Sequence, residues 1–79
     1  MLLEWVISGA HYWRLYKRDV PRFMASLRRR EDGWFEYSLR DRYGQLQPSY
    51  TKLEGLRTLE EAQDAVKVIV MLTESATNR

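Results

Sequence analysis

The chain contains no cysteine and only one histidine, and both shortages limit its chemistry. Without cysteine there is no disulfide framework, no thiolate nucleophile and no cysteine-bound zinc site. His11 alone cannot form a metal cage, and the sequence identifies no nucleophile partnered with it. We therefore expect no metal site, no cofactor and no catalytic residues, and we expect stability to come from packing alone.

Long apolar runs and clustered glycines are also missing. The longest apolar run, Val68 to Leu72, is far below the roughly 20 residues needed to cross a bilayer. The amino terminus carries Glu4 and lacks the basic start of a secretory signal, so we expect a cytoplasmic protein with no membrane partner. The four glycines stand singly, which excludes a glycine-rich phosphate loop.

What is present is an ordinary foldable composition on a small scale. The 79 residues are 44% hydrophobic, 30% charged and 13% aromatic. A chain of this length has room for one domain, so we expect residues 1–79 to form a single unit. Its expected parts are an amino-terminal hairpin or extension over 1–22, an antiparallel sheet over 23–57, a helix over 58–75 and a frayed tail over 76–79.

Charge is segregated along the chain, although the formal net charge is only +2. Residues 14–30 hold seven basic side chains against Asp19, a net charge of +6, whereas residues 53–79 carry a net charge of −2. Such asymmetry within one small domain suggests an anionic partner for one face. The alternative is that the arginines only keep an exposed strand face soluble.

A β-hairpin is predicted over residues 23–39, where apolar and polar residues alternate on both sides of a Glu-Asp-Gly break. The alternation assigns to the core face Phe23, Ala25 and Leu27. A three-residue loop over 31–33, with Gly33 in the left-handed conformation, pairs Leu27 with Tyr37. In this register the apolar side chains of the two strands lie opposite each other. In that register the opposite, outward face holds Arg28, Arg30, Trp34, Glu36 and Arg40.

A third antiparallel strand is predicted over 46–53, after a turn over 41–45. Pro48 lacks an amide donor, which favours an edge position for this strand. The length of the preceding loop decides which face Tyr50 and Lys52 occupy. A three-residue loop places both side chains outward, and a four-residue loop places both inward.

The pattern changes to that of a helix at Thr58. The string TLEE matches a capping box in which Thr58 and Glu61 satisfy each other's backbone amides, so we expect a helix from Leu59 to about Glu74. Its core-facing stripe is Leu59, Ala62, Ala65, Val66, Ile69 and Val70. Val68 and Met71 fall outside this stripe, and they either pack against the amino-terminal segment, lie in a frayed turn or form a partner surface.

The first 22 residues contain two β-prone runs separated by Gly9 and Ala10. They form either a second hairpin or, over residues 2–7, a short helical turn. The expected fold class is therefore α+β, a three- to five-stranded antiparallel sheet with one carboxy-terminal helix packed on one face.

The outward face of the sheet has the chemistry of a nucleic-acid contact. Arginines at alternate strand positions can bind phosphates or guanine edges, and Trp34 can pack against sugar or a thymine methyl group. The alternative is that these side chains cover one another, or that the amino-terminal segment covers them. The candidate binding residues are Arg28, Arg30, Trp34, Arg40 and Lys52.

The string RREDGWFEYSLRDRYG, followed by a third strand and TLEEAQDAV, resembles the AP2-like DNA-binding domain, which includes the arm-binding domains of phage and transposon integrases. The resemblance covers about residues 23–72. It implies a three-stranded sheet that contacts DNA through the candidate binding residues, a helix on the other face, and turns at Gly33 and Gly44. Glu36 on the contact face and the first 22 residues depart from the family pattern.

We therefore expect a non-enzymatic DNA-binding accessory or regulatory protein that acts as a monomer or weak dimer on duplex DNA. The alternative is a small inhibitor of the kind that phages and mobile elements make, for example one resembling anti-CRISPR proteins. Its partner would be a host protein or a nucleoprotein complex that handles nucleic acid. Compactness, segregated charge and surplus aromatic side chains fit both functions.

Overall fold

The computed structural model describes residues 2–40, 45 and 49–77 of the chain. In chain order the elements are β1 (Leu3–Gly9), β2 (Tyr12–Lys17), β3 (Phe23–Arg29), β4 (Phe35–Leu39), β5 (Thr51–Leu53) and α1 (Leu59–Thr77). The strands form one antiparallel sheet in sequential order, and α1 packs across β3 and β4 on one side of it. The predicted α+β class, with a sheet of up to five strands and one carboxy-terminal helix, is confirmed.

The central hairpin of β3 and β4 has the predicted register. Leu27 lies opposite Tyr37, and Ala25 lies opposite Leu39. Gly33 has a φ of 89°, a conformation that glycine adopts without the steric cost of a side chain. Its amide donates to the carbonyl of Arg30 at 3.0 Å and closes the three-residue loop. The loop length and the position of the bulge glycine are therefore confirmed.

The first 22 residues contribute the second hairpin rather than a helical turn. β1 and β2 pair antiparallel, with Trp5 opposite Leu15 and Ile7 opposite Trp13. β2 in turn pairs with β3, where Leu15 lies opposite Ala25. The amino-terminal hairpin therefore extends the sheet sideways and does not cover its outward face.

The position of Phe23 differs from the prediction. A bulge interrupts the β2–β3 register, so that Leu15 pairs with Ala25 but Tyr16 pairs with Phe23. Because one extra residue reverses the alternation of faces, Phe23 turns to the outward face and Met24 packs against the core instead. The core-face assignment of Phe23 is wrong, and the bulge is the reason.

Of the described residues in the predicted third strand, 49–53, Thr51–Leu53 are extended, and this strand, β5, lies at the edge of the sheet, as expected. Residues 46–48, including Pro48, and most of the predicted 41–45 turn, including Gly44, lie outside the described residues. Lys52 pairs with Glu36, and the Tyr50 hydroxyl lies 3.0 Å from the Ser26 hydroxyl. Both side chains are therefore outward.

The helix begins with the predicted capping box. The Glu61 amide donates to Thr58 Oγ1 at 3.2 Å, and the Thr58 amide donates to Glu61 Oε1 at 3.3 Å. The helix continues through Thr77, beyond the predicted end. Its buried residues, Ala62, Val66 and Val70, meet the sheet core. The buried sheet residues in that core are Leu15, Ala25, Leu27, Phe35 and Leu53.

The apolar residues outside the predicted stripe remain exposed. Val68 is 53% exposed, Met71 50% and Leu72 66%. Val68 and Met71 lie within the continuous helix, so the hypothesis of a frayed turn is wrong for these two residues, and a partner surface stays a hypothesis. Among the described residues, no helix is long and apolar enough to cross a membrane.

Candidate functional site

The side of the sheet facing away from α1 carries a continuous row of charged residues. Arg28 pairs with Glu36, and Glu36 pairs with Lys52, so the three side chains run across β3, β4 and β5. Arg30 joins the row through an ion pair with the Glu36 carboxylate, 3.6 Å from Nη1 to Oε2. We call this surface the basic face. Its cations are Arg14, Arg28, Arg30, Arg40, Lys52 and Arg57.

All five candidate binding residues lie on the basic face. Trp34 is half-buried beside Lys52 and Arg57. Arg40 lies at the other end, where its backbone amide donates to the carbonyl of Met24 at 3.0 Å. Their common face is therefore confirmed, and their binding role stays a prediction.

Aromatic rings hold most of these cations in place. The guanidinium carbon of Arg28 lies 3.8 Å from the centroid of the Tyr50 ring. The Trp34 ring contacts two cations, with Lys52 Nζ at 4.4 Å and the Arg57 guanidinium carbon at 4.6 Å. Cation–π contacts at these distances are attractive and restrict the cation's position. The aromatic residues therefore act as supports for charge.

The ring of Phe23 is a third such support. The guanidinium carbon of Arg14 lies 4.6 Å from its centroid and that of Arg40 lies 4.0 Å from it. These arginines come from β2 and from the end of β4, on either side of β3. The bulge that moves Phe23 outward thus joins two distant arginines into the same surface.

Glu36 is the carboxylate at the centre of the basic face, and its side chain is only 11% exposed. Its Oε1 accepts a hydrogen bond from Arg28 Nε at 2.5 Å, and its Oε2 lies near Arg30. Arg30 also approaches the Asp32 carboxylate, with Nε 3.4 Å from Oδ2. A buried carboxylate between two arginines offsets their mutual repulsion and fixes their orientation.

A cluster of hydroxyl groups lies between Arg14 and Arg28. We define this hydroxyl cluster as Tyr12, Ser26 and Tyr50. The Ser26 and Tyr50 hydroxyls are 3.0 Å apart. Tyr12 lies beside them on β2, opposite Arg28, and the guanidinium carbon of Arg14 lies 5.4 Å from the centroid of the Tyr12 ring. Ser26 is fully buried, whereas the two tyrosines are half-buried and reach the surface.

The hydroxyl cluster shifts the pKa values of its tyrosines in opposite directions. Burial disfavours ionisation of the Tyr12 phenol, but hydrogen bonds to its oxygen outweigh this effect and lower its pKa. Arg14 makes the largest of these contributions, and Tyr50 and Ser26 supply the others. Burial raises the pKa of Tyr50. The surroundings of the Tyr12 oxygen therefore favour negative charge.

Sequence reasoning missed several members of the basic face. The missed residues are Tyr12, Arg14, Phe23, Ser26, Tyr50 and Arg57. For Tyr12 and Arg14 the signal was present, since they alternate with Trp13 and Leu15 in a β-prone run. For Phe23 the alternation itself was misleading, because the bulge reverses it.

Among the described residues, no three histidine or acidic side chains lie close enough together to hold a metal ion. His11 is exposed at the β1–β2 turn. What the basic face can do chemically is bind an anion, through preoriented guanidinium and hydroxyl donors.

The fold and site together define a small α+β domain with a cationic, aromatic sheet face. The chain matches no family model, no curated protein and no solved structure. Its function is therefore argued from the geometry of this face.

Proposed function

We propose that this chain is a non-enzymatic DNA-binding accessory or regulatory protein that binds duplex DNA through the basic face. The observation that carries the proposal is the organisation of the cations: five of the six rest on aromatic rings that share their side of the sheet. A face whose charge served only solubility would not need fixed side chains. Fixed guanidinium groups are what recognition of phosphate oxygens requires.

Stacking favours phosphate binding because it uses only the flat side of the guanidinium group. An arginine that lies on a ring, as Arg28 does on Tyr50, can still donate hydrogen bonds from its edge. It has also lost much of its rotamer freedom before a partner arrives, so less entropy is lost on binding. The sequence-independent part of DNA binding comes from such phosphate contacts.

Duplex DNA fits this face better than a single strand. Proteins that bind single strands without sequence preference stack bases on aromatic rings. Here the Tyr50, Trp34 and Phe23 rings are already contacted by cations. Sheets that read duplex DNA instead lay a strand surface into a groove, with basic side chains on the phosphates. The AP2-like resemblance of residues 23–72 supports the same arrangement.

A salt series tests the proposal, with fluorescence anisotropy of a labelled duplex as the measurement. We expect tight binding at low salt and a steep loss of affinity as salt rises. The double variant R28Q/R30Q should reduce the slope of log affinity against log salt by about 2, since each lost phosphate contact removes about 0.9.

Arg29 provides the matched control, because it is adjacent in sequence but its guanidinium group contacts the Phe35 ring on the α1 side. Arg29→Gln removes the same charge as Arg28→Gln and should leave the slope much less affected. Absence of binding to any duplex at low salt would contradict the proposal. So would equal effects of Arg28→Gln and Arg29→Gln on the slope.

A second candidate is an inhibitor that binds a host protein, in the manner of the small proteins of phages and mobile elements. The exposed apolar side chains of Val68, Met71 and Leu72 on α1 favour it. Pull-down from a nuclease-treated host lysate separates the candidates. Stoichiometric retention of one protein, lost in the variant V68S/M71S, would support the inhibitor, and loss of all partners after nuclease treatment would support DNA.

A further inference from the structure

We infer that the hydroxyl cluster, with Arg14 and Arg28 on either side of it, forms a phosphate-binding subsite near the centre of the basic face. The ligand group is one phosphodiester of the bound nucleic acid. The inference rests on the proposed DNA binding and extends the interface to β2, which lies outside the part of the chain that resembles AP2-like domains.

The strand register brings the two arginines to one place. Tyr12 lies opposite Arg28, and Arg14 lies opposite Ser26, so Arg14 and Arg28 are diagonal neighbours across β2 and β3. Backbones in such a pair are about 7–8 Å apart. A single phosphate group between the two side chains can accept hydrogen bonds from both guanidinium edges.

Both arginines are held before a ligand binds. Arg28 lies on the Tyr50 ring at 3.8 Å and is bonded through Nε to Glu36. Arg14 lies on the Phe23 ring, with its guanidinium carbon 4.6 Å from that centroid and 5.4 Å from the centroid of the Tyr12 ring. These contacts come from three different strands and from the residue before β5, so the whole sheet positions the pair.

Hydrogen-bond accounting assigns separate roles to the three hydroxyls. A guanidinium group only donates hydrogen bonds, so Arg14, whose guanidinium carbon lies 5.4 Å from the centroid of the Tyr12 ring, serves as a donor to the ligand. Ser26 is fully buried and acts as a positioning residue for Tyr50. Tyr12 and Tyr50 reach the surface, and each can turn its O–H toward a bound phosphate oxygen. The lowered pKa of Tyr12 agrees with this role, because surroundings that stabilise a phenolate also stabilise another oxyanion.

The test compares three Tyr→Phe variants that remove one hydroxyl each without changing charge. Tyr12→Phe and Tyr50→Phe alter the subsite, whereas Tyr37→Phe alters the opposite face, where Tyr37 packs against the core. We expect the first two to weaken duplex binding about tenfold, as expected for a lost hydrogen bond to a charged group, with the salt slope unchanged. Tyr37→Phe should stay within about twofold of wild type.

Arg14 supplies the second readout. Arg14→Gln should lower both the affinity and the salt slope, the slope by about 0.9, whereas Arg14→Lys should keep the slope and lose affinity, because lysine lacks the planar fork. Circular dichroism of each variant establishes that it is folded. If Tyr12→Phe unfolds the protein, the affinity and salt slope of Arg14→Lys test the subsite instead.

The possible failures are distinguishable. If wild type binds duplex DNA but Tyr12→Phe and Tyr50→Phe match Tyr37→Phe, the subsite is refuted and the proposed function stands. If wild type binds no duplex, a titration with inorganic phosphate tests the subsite on its own, with the arginine side-chain NMR signals as the measurement. Selective shifts of Arg14 and Arg28 that Tyr12→Phe weakens would support the subsite, and their absence would overturn it.

Discussion

Replacing Glu36 by glutamine should change stability and DNA affinity in opposite directions. The substitution keeps the size of the side chain and removes its charge. In wild type the Glu36 carboxylate binds Arg28 and Arg30, and Lys52 lies opposite it on β5. The variant leaves these three cations together without the carboxylate between them.

The loss of stability follows from the burial of the ion pair. Breaking a buried ion pair costs about 3–5 kcal/mol, and an exposed pair contributes about 0.2–1 kcal/mol. The Glu36 side chain is 11% exposed but that of Arg28 is 49% exposed, so solvent screens the pair strongly. We expect the free energy of unfolding to fall by about 1–2 kcal/mol, which lowers the Tm of so small a domain by about 5–15 °C.

The gain in affinity follows from the same charge. In wild type a phosphate group near Arg28 is repelled by the Glu36 carboxylate. A repulsion between unit charges a few ångström apart at a hydrated surface costs about 1 kcal/mol. Its removal should strengthen duplex binding at low salt about fivefold, because 1.4 kcal/mol corresponds to a factor of ten in the binding constant.

Thermal melting followed by circular dichroism and anisotropy at fixed salt measure the two effects. Glu54→Gln is the control, since Glu54 is an exposed carboxylate just after β5 and its loss changes the net charge equally. It should leave Tm within about 2 °C of wild type. A folded Glu36→Gln protein that binds DNA more weakly would refute the reasoning, because the carboxylate would then serve to orient the arginines and not to compete with phosphate.

Three further changes test the fold and the hydroxyl cluster. Thr58→Ala removes the capping side chain and should lower the free energy of unfolding by about 1 kcal/mol in urea titrations. Gly33→Ala places a side chain at a φ of 89° and should cost about 1 kcal/mol in the same assay, although nothing within 4 Å of the added carbon would clash. In alkaline titration at 295 nm, Tyr12 should ionise below the ordinary tyrosine pKa and Tyr50 above it. Tyr12 therefore stabilises the folded protein at a pH above the pKa it has in the unfolded chain, and this stability is lost as the pH falls through its lower pKa in the folded protein. The contribution of Tyr50 is present below the pKa it has in the unfolded chain, and it is lost as the pH rises through its higher pKa in the folded protein. Thr58→Ser should retain most of the capping contribution, and loss of the early titration phase in Tyr12→Phe would confirm the assignment.

The central hairpin is predictable from the sequence because two separate signals agree. Pairing apolar with apolar requires a three-residue loop, and that loop requires a residue with positive φ where Gly33 stands. The same agreement makes the start of α1 predictable, where the capping pattern and the apolar stripe both begin near Thr58. Local chemistry and long-range packing dictate the same answer at these points.

The sequence does not predict the β2–β3 bulge, and for this reason the alternation of residues assigns Phe23 to the wrong face of the sheet. Simple alternation gives a strand residue its face, and an extra residue inserted into the ladder reverses that face with no local composition signal. Tyr50 presents the same difficulty, because its face depends on the length of the loop before it. The rings of both residues contact arginines in the structure. The sequence therefore predicts the charge of the basic face but not how its side chains are organised.

The charge pattern of the sequence alone does not distinguish a binding face from a solvated strand, because the organisation of the charged side chains is not visible in it. An alternating run of arginines is compatible with a solvated strand, as long as each side chain is free to move. Once Tyr50, Trp34 and Phe23 from three separate parts of the chain hold cations contributed by other parts, the arrangement depends on the folded state as a whole. An unfolded or misregistered chain would keep its charge and lose that arrangement. Binding that depends on the basic face should therefore disappear with the cooperative melting of the sheet, whereas nonspecific attraction to the +6 segment would survive it.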